Sequence, residues 1–156
     1  MFRLFKAAKS TSLQQQLAAV SLFSRLSPRE LKIVATLIHQ REAHAGEIIF
    51  DEGEEGQAIY IIFTGRILIC PQGQVDAPIA EIGPGRIFGE LALIDGGSRS
   101  AQARALADCD LGVMFRGDFE NLMESHAVIA AKISFQLAQH YAGIIRGMAA
   151  APGEPE

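Results

Sequence analysis

Two charged residues in an otherwise apolar, glycine-rich stretch, FGELALIDGGSRSAQARA (88–105), have the types and spacing for anion recognition. They are Glu90 and, nine residues later, Arg99. Gly89 lets a backbone approach a bound group closely, and Glu90 to Leu93 can begin a short helical turn. The unpaired first amides of such a turn form an anion site without any side chain. Arg99 returns on the far side of the Asp95-Gly96-Gly97 turn, where its planar fork can meet the same anion. A carboxylate beside an anion site repels the ligand unless that ligand also carries a hydroxyl donor near its anionic group. A ribose cyclic phosphate carries both. The plain alternative is that Glu90 is a solvated residue opening a helix and Arg99 a loop charge that meets only water.

Other chemistry has weaker support. His39 and His44 frame QREAH, but a metal-binding β-roll needs two histidines one residue apart, a glutamate and a later histidine, and that spacing is absent. Asp51, Glu52, Glu54 and Glu55 crowd the DEGEEG turn without the alternating spacing of a calcium loop, which reads as a solvated hairpin. Cys70 and Cys109 form no CxxC pair, which argues against a zinc site or a disulfide framework and fits a reducing cytoplasm. His126 and His140 have no adjacent nucleophile, and Ser98 and Ser100 lie in no G-x-S-x-G elbow. The expectation is no catalytic residue, no metal and no cofactor.

These residues must be held by something. A chain of 156 residues with 49% apolar and 21% charged residues can fill one core, not two, so one domain over 1–156 is expected. A net charge of -4 argues against nonspecific nucleic-acid binding, and no apolar run reaches the roughly 18 residues of a membrane span. Arg3, Lys6, Lys9, Arg25 and Arg29 make the first 29 residues basic and acid-free. That pattern predicts a basic helix packed on an acidic domain, with a transit peptide or a membrane-surface helix as competing readings.

Periodicity divides the chain in three. N-terminal helices occupy 1–38: one from about Thr11 to Leu22, its core stripe Leu13, Leu17, Val20 and Leu22, and a second opened by Ser27-Pro28 with Glu30 completing a capping box. Leu31, Val34, Ala35 and Ile38 give the second its buried face. From 39 to 115, strand-like runs at 47–50, 57–63, 66–70, 77–82, 101–107 and 110–115 alternate with glycine turns. They predict a mainly β fold, an antiparallel β-roll (jelly roll) of about eight strands. From 116 to 149, a short helix over Asp118–Ser125 precedes a long one, on which Ile129, Ile133, Leu137, Tyr141, Ile144 and Met148 line one face. Ala130, Ala138, Ala142 and Ile145 add a second apolar edge, which predicts a homodimer through this helix. Residues 150–156 read as a tail.

FGELALIDGGSRSA (88–101), LFSRLSPREL, GEIIFDEGEEGQAIYIIFTGRI and ALADCDLGVMFRGDFENLMESH together resemble the cyclic nucleotide-binding domain family, of the catabolite-activator and protein kinase A regulatory-subunit type. The resemblance covers most of the chain. It implies that 88–101 is a phosphate-binding cassette, that Glu90 accepts from a ribose 2′-hydroxyl and that Arg99 pairs with the cyclic phosphate. It further implies backbone amides near Gly89, Leu91, Ser100 and Ala101 as the cradle, with Phe88 and Ala92 alongside, and Phe63, Ile79, Ala80 and Ile82 as an apolar wall. Two positions depart from the family pattern: Gln102 stands in place of threonine and Ser98 in place of proline.

The implied function is a cytoplasmic, non-catalytic sensor of cyclic nucleotide, with cyclic AMP the first candidate and cyclic GMP the second. Binding would shift the C-terminal helices and pass a signal to an effector protein in trans. The competing reading is a structural jelly-roll module for protein–protein contact that binds no nucleotide. With the chain stopping eight residues after Met148, no direct DNA binding is expected. Ungapped alignment puts Ile144 and Ile145 over the base, with Gln136, Gln139 and His140 as alternatives. In the free protein Arg99 is expected to stand at least partly in water.

Overall fold

The computed structural model describes residues 13–150. Arg3, Lys6, Lys9, the first two residues of the expected opening helix and the tail from 151 lie outside the described residues. Helix α1 covers 13–18, and a separate 3-10 turn, Ser21–Phe23, follows in place of one continuous helix. Leu17, Val20, Leu22 and Phe23 are nevertheless buried together. Helix α2, Pro28–Ala35, begins as its sequence demands. The Glu30 amide donates to Ser27 Oγ at 3.2 Å and the Ser27 amide donates to Glu30 Oε1 at 2.9 Å, so two otherwise orphaned donors are satisfied reciprocally.

Eight strands follow: β1 (His39–Ala43), β2 (Ile48–Phe50), β3 (Ala58–Thr64), β4 (Ile67–Cys70), β5 (Ala80–Ile82), β6 (Ile87–Phe88), β7 (Gln102–Ala105) and β8 (Cys109–Phe115). They form two antiparallel sheets, ordered β1-β8-β3-β6 and β2-β7-β4-β5, which is the β-roll the turn spacing called for. Two strands fall outside the expected runs. β1 is a charged HQREA segment of which only Ala43 is buried, and β6 is two residues long. The 77–82 run pairs only over its last three residues.

β3 is buried on both faces, which removes any alternation from its sequence. Ile59 and Ile61 join the core under the helices, and Phe63 packs against it. Tyr60 and Ile62 face the other way, into the space between the sheets. One strand therefore separates the helical layer from the interior of the roll.

Helix α3 (Leu91–Ile94) sits between β6 and β7, and α4 (Arg116–Ser125) and α5 (Ala127–Ala150) close the described chain. Ile129, Ile133 and Leu137 bury the inner stripe of α5, and Tyr141 packs partly against the same core. Beyond Tyr141 the expected stripe fails: Ile144 is 45% and Met148 66% exposed. The helix has run past the edge of the roll and has nothing left to cover. Ala130 is buried, so it belongs to the inner stripe and not to a second edge. Lys132 Nζ donates to Glu30 Oε1 at 2.8 Å, and Arg25 donates to Gln136 and Gln139 at 3.0 and 3.1 Å. No helix among the described residues is long and apolar enough to cross a membrane.

Candidate functional site

The stretch from Phe88 to Ala101 leaves β6, makes the single turn of α3 and returns to β7, folding around Arg99. The arginine is buried, 8% exposed, contrary to the expectation that it stands partly in water. Its Nη1 donates to the Gly89 carbonyl at 2.9 Å and its Nη2 to the Ala58 carbonyl at 2.8 Å. Its Cζ lies 4.0 Å from the centroid of the Phe50 ring and 5.8 Å from that of Tyr60. Tyr60 stacks in turn on Phe88, with centroids 5.1 Å apart and planes inclined by 15°. Three strands thus supply an aromatic platform under one guanidinium.

Two glycines make that seat available. Gly89 has φ +73, and a Cβ there would lie 2.6 Å from Arg99 Nη1. A Cβ on Gly56 would lie 2.9 Å from both the Ala92 Cβ and the Gly97 carbonyl. Both positions need the bare backbone that glycine provides.

The electrostatics of the seat are unbalanced. No carboxylate forms an ion pair with Arg99 among the described residues, and its Nε is buried without a hydrogen-bond partner. Burial pulls its pKa down from the ordinary arginine value, and Tyr60, Glu54 and Glu90 offset this only in part. An uncompensated buried cation favours an anion beside it. The amides of Glu90 and Leu91, at the start of α3, have no acceptor among the described residues and supply donors next to it.

A cavity of about 160 Å³ opens over this arrangement, lined by Phe50, Ile69, Phe88, Gly89, Glu90, Leu91, Ala92, Gly97, Ser98, Arg99, Ser100 and Ala101. Eight of the sequence candidates meet here: Phe88, Gly89, Glu90, Leu91, Ala92, Arg99, Ser100 and Ala101. Four do not line it. Phe63 stands on the helix-facing side of β3, where it lines a separate cleft with Gln16 and Gln40. It shares its side of the strand with Ile59 and Ile61, and only Tyr60 and Ile62 look into the roll. Ile79 precedes β5 and is 63% exposed. Ala80 and Ile82 pair with Ile69 and Ile67 across the sheet, so they share the inward face beside the cavity without reaching its wall.

Phe50, Tyr60 and Ile69 are the contributors that the sequence reading missed. Their only signal is parity along β2, β3 and β4, and parity is readable only once the faces are known. Gln102, in the usual threonine place, is turned away from the cavity. Its Nε2 donates to Asp51 Oδ1 at 3.0 Å, tying β7 to the β2–β3 turn. Ile144 and Ile145 are exposed and line no part of the cavity, and Gln136 and Gln139 are engaged by Arg25. The residue of α5 that faces the cassette is His140, with Nε2 3.9 Å from Glu90 Oε1.

The geometry has close parallels among known proteins. The chain is 33% identical over 120 residues to the cyclic AMP receptor protein of Thermus thermophilus, covering 76% of this chain and 56% of that protein. It therefore spans little more than half of that relative's length. The regulatory domain of Toxoplasma gondii PKA, solved with cAMP, superposes with a TM-score of 0.65 at 26% identity, over 73% of this chain and 44% of that one. A cyclic nucleotide-binding domain from Methylobacillus flagellatus superposes with a TM-score of 0.77 over 96% of this chain and 86% of that one, and at 22% identity it speaks for the fold alone. Residues 40–126, more than half of the chain, match the family described as cyclic nucleotide-binding domain. That span runs from β1 through both sheets and the cassette to the end of α4, and the chain belongs to the cyclic nucleotide-binding domain family.

Proposed function

We propose that this chain is a non-catalytic sensor whose cassette cavity takes a cyclic nucleotide, with cyclic AMP the first candidate. The observation that carries the reading is Arg99, a buried cation with a free Nε and no carboxylate partner among the described residues. A cyclic phosphate seated there would receive Arg99 Nε and the Glu90 and Leu91 amides, and Ser100 and Ala101 would close its other side. Glu90, on the rim of the same cavity, would accept from the ribose 2′-hydroxyl. Phe88, Ile69, Ala80 and Ile82 would border the sugar and base. The Toxoplasma relative was solved with cAMP and the Thermus relative is a cyclic AMP receptor protein, and both favour this ligand class.

The output follows from how α5 is attached. Its packed part ends at Tyr141, next to the cassette, so occupancy of the cassette would shift the population of α5 positions. We place an effector protein in trans at the other end of that shift, and a second copy of this chain along the exposed side of α5. Thermal melts with and without nucleotide test the reading. Cyclic AMP at a hundredfold over its Kd adds roughly 2.7 kcal/mol of stability. No shift with millimolar cyclic AMP or cyclic GMP would favour the structural jelly-roll module instead.

A further inference from the structure

Arg99 and the Phe50 ring beneath it arrive on separate segments, the run into β7 and the end of β2, whose relative register decides whether they meet. The pairing of β2 with β7 shifts register after Ile48 and ends at Phe50 and Ala103. The two main chains meet again where the Gly53 amide donates to the Arg99 carbonyl at 2.8 Å and the Arg99 amide to the Glu54 carbonyl at 2.7 Å. Between those points no backbone hydrogen bond joins the segments among the described residues. One side chain spans the gap. Gln102 Nε2 donates to Asp51 Oδ1 at 3.0 Å, and Asp51 directly follows Phe50 while Gln102 stands three residues after Arg99.

Gln102 is 1% exposed and lines no part of the cavity. Its amide is satisfied at both ends, since Oε1 accepts from Arg104 Nη2 at 3.2 Å and Nε at 3.4 Å while Nε2 donates to the carboxylate. A side-chain amide donates from one end only and accepts at the other, so the two contacts fix its orientation. The threonine usual at this place is too short to serve both. Asp51 in turn holds its own loop: Oδ1 accepts from the Glu52 amide at 3.0 Å, and its amide donates to Glu54 Oε1 at 3.1 Å. Glu52 Oε1 accepts from the Gln72 amide at 2.9 Å. The DEGEEG turn is therefore a bonded frame, not the solvated hairpin its charges suggested, and that frame clasps the main chain of Arg99.

We propose that Gln102 and Asp51 are a positioning pair for the anion seat: their contact sets the register of Arg99 over Phe50, and with it the direction of the free Nε, without touching the ligand. The inference rests on the cassette reading in one respect, namely that this Nε meets a ligand anion. The pair sits where the register shift has ended the ladder, so no neighbouring rung duplicates it. Its acceptor is a carboxylate, and hydrogen bonds to ionised groups are roughly twice as strong as neutral ones. Slippage at this rung moves the ring under the cation, and a cation–π contact depends on the cation staying over the ring face. Ala103 and Ala105 anchor β7 in the interior of the roll, so the sheet itself does not depend on the pair.

Three variants of the full chain test it. Gln102→Leu removes the donor, and Gln102→Glu sets two carboxylates together. The double variant Asp51→Asn/Gln102→Glu restores the bond with donor and acceptor exchanged. The first measurement uses no nucleotide: exchange of the Arg99 amide followed by NMR, with the amides of β8 as reference. Both single variants are expected to exchange at Arg99 about tenfold faster than wild type, the lower end of what a hydrogen bond to a charged group contributes. The β8 amides should be unchanged and the double variant restored. Unchanged exchange at Arg99 in both single variants, equal acceleration across β8, or a double variant as loose as Gln102→Glu overturns the pair. The second measurement is a calorimetric titration with cyclic AMP, in which both single variants should bind about tenfold more weakly and the double variant as the wild type does. Unchanged affinity beside a loosened Arg99 overturns the role in binding. Absence of binding by the wild type, beside loosening and rescue at Arg99, retires the nucleotide reading while the positioning pair stands.

Discussion

The guanidinium of Arg99 rests on the face of Phe50, its Cζ 4.0 Å from the ring centroid, although Phe50 ends β2 and Arg99 stands between α3 and β7, nearly fifty positions later. The ring fills one side of the cation, and the carbonyls of Gly89 and Ala58 hold its two terminal nitrogens. What remains is Nε and the cavity. The arginine is oriented before any ligand arrives, so binding need not immobilise it.

Arg99→Ala is expected to weaken cyclic nucleotide binding by about 2–5 kcal/mol, as when one partner of a buried charge pair is lost. The fold should survive. Removing a desolvated, unpaired cation offsets the hydrogen bonds lost at Gly89 and Ala58, and the melting midpoint should fall by less than about 4 °C. Glu90→Gln should weaken binding less, because an amide oxygen still accepts from a hydroxyl. Titration calorimetry with parallel melts checks all three statements, and unchanged affinity in Arg99→Ala would refute the cassette reading.

Phe50→Leu retains an apolar side chain and removes the π face. Affinity should fall about tenfold, or about 1.4 kcal/mol, within the range of a desolvated cation–π contact. Affinity equal to wild type would reduce Phe50 to a packing residue.

Gly89→Ala introduces a Cβ 2.6 Å from Arg99 Nη1 at a φ of +73. The left-handed backbone alone costs about 1–2 kcal/mol. Because the new methyl also displaces the guanidinium, binding should fall by more than the stability change accounts for. Melts and titrations on the same preparation separate the two losses.

Among the described residues, no α5 group lines the cavity to read a base edge. Cyclic AMP is therefore expected to be preferred over cyclic GMP by no more than about tenfold, or about 1.4 kcal/mol. Competition of both nucleotides against one fluorescent analogue gives the ratio, and a hundredfold preference for either would contradict the prediction.

Val128, Phe135 and Ala142 recur every seven residues on the exposed side of α5, with Ile145 beside them at 64% exposure. That spacing suits a seam between two parallel copies. Light scattering at micromolar concentration should give a dimer, and Ile145→Glu a monomer. A monomeric wild-type mass with ligand present would count against the seam.

Much of this was legible from local pattern. The capping box at Ser27 and Glu30 and the cassette from Phe88 to Ala101 are contiguous in the sequence and fold as contiguous units. What escaped was whatever depends on which side of a strand faces where. β1 is HQREA, exposed but for Ala43, so it carries no β-branched run to betray it. β3 is apolar at six consecutive positions because both of its faces are covered, and the assignment of Phe63 to the cavity was undetermined by its own residues. Phe50 and Ile69 reach the site from distant strands. The end of the packed part of α5 is set by where the roll stops beneath it, which nothing in the helix sequence records.

The two-faced burial of β3 also bears on how this protein can change over time. Ile59 and Ile61 answer to the helices, whereas Tyr60 answers to the guanidinium seat. Neighbouring codons therefore stand under unrelated constraints: drift at the odd positions must track α1, α2 and α5, and drift at Tyr60 must track the cassette. A lineage that abandoned ligand binding would be free to vary Tyr60 while keeping Ile59 and Ile61. Divergence confined to alternate positions of one strand would then be the record of that loss.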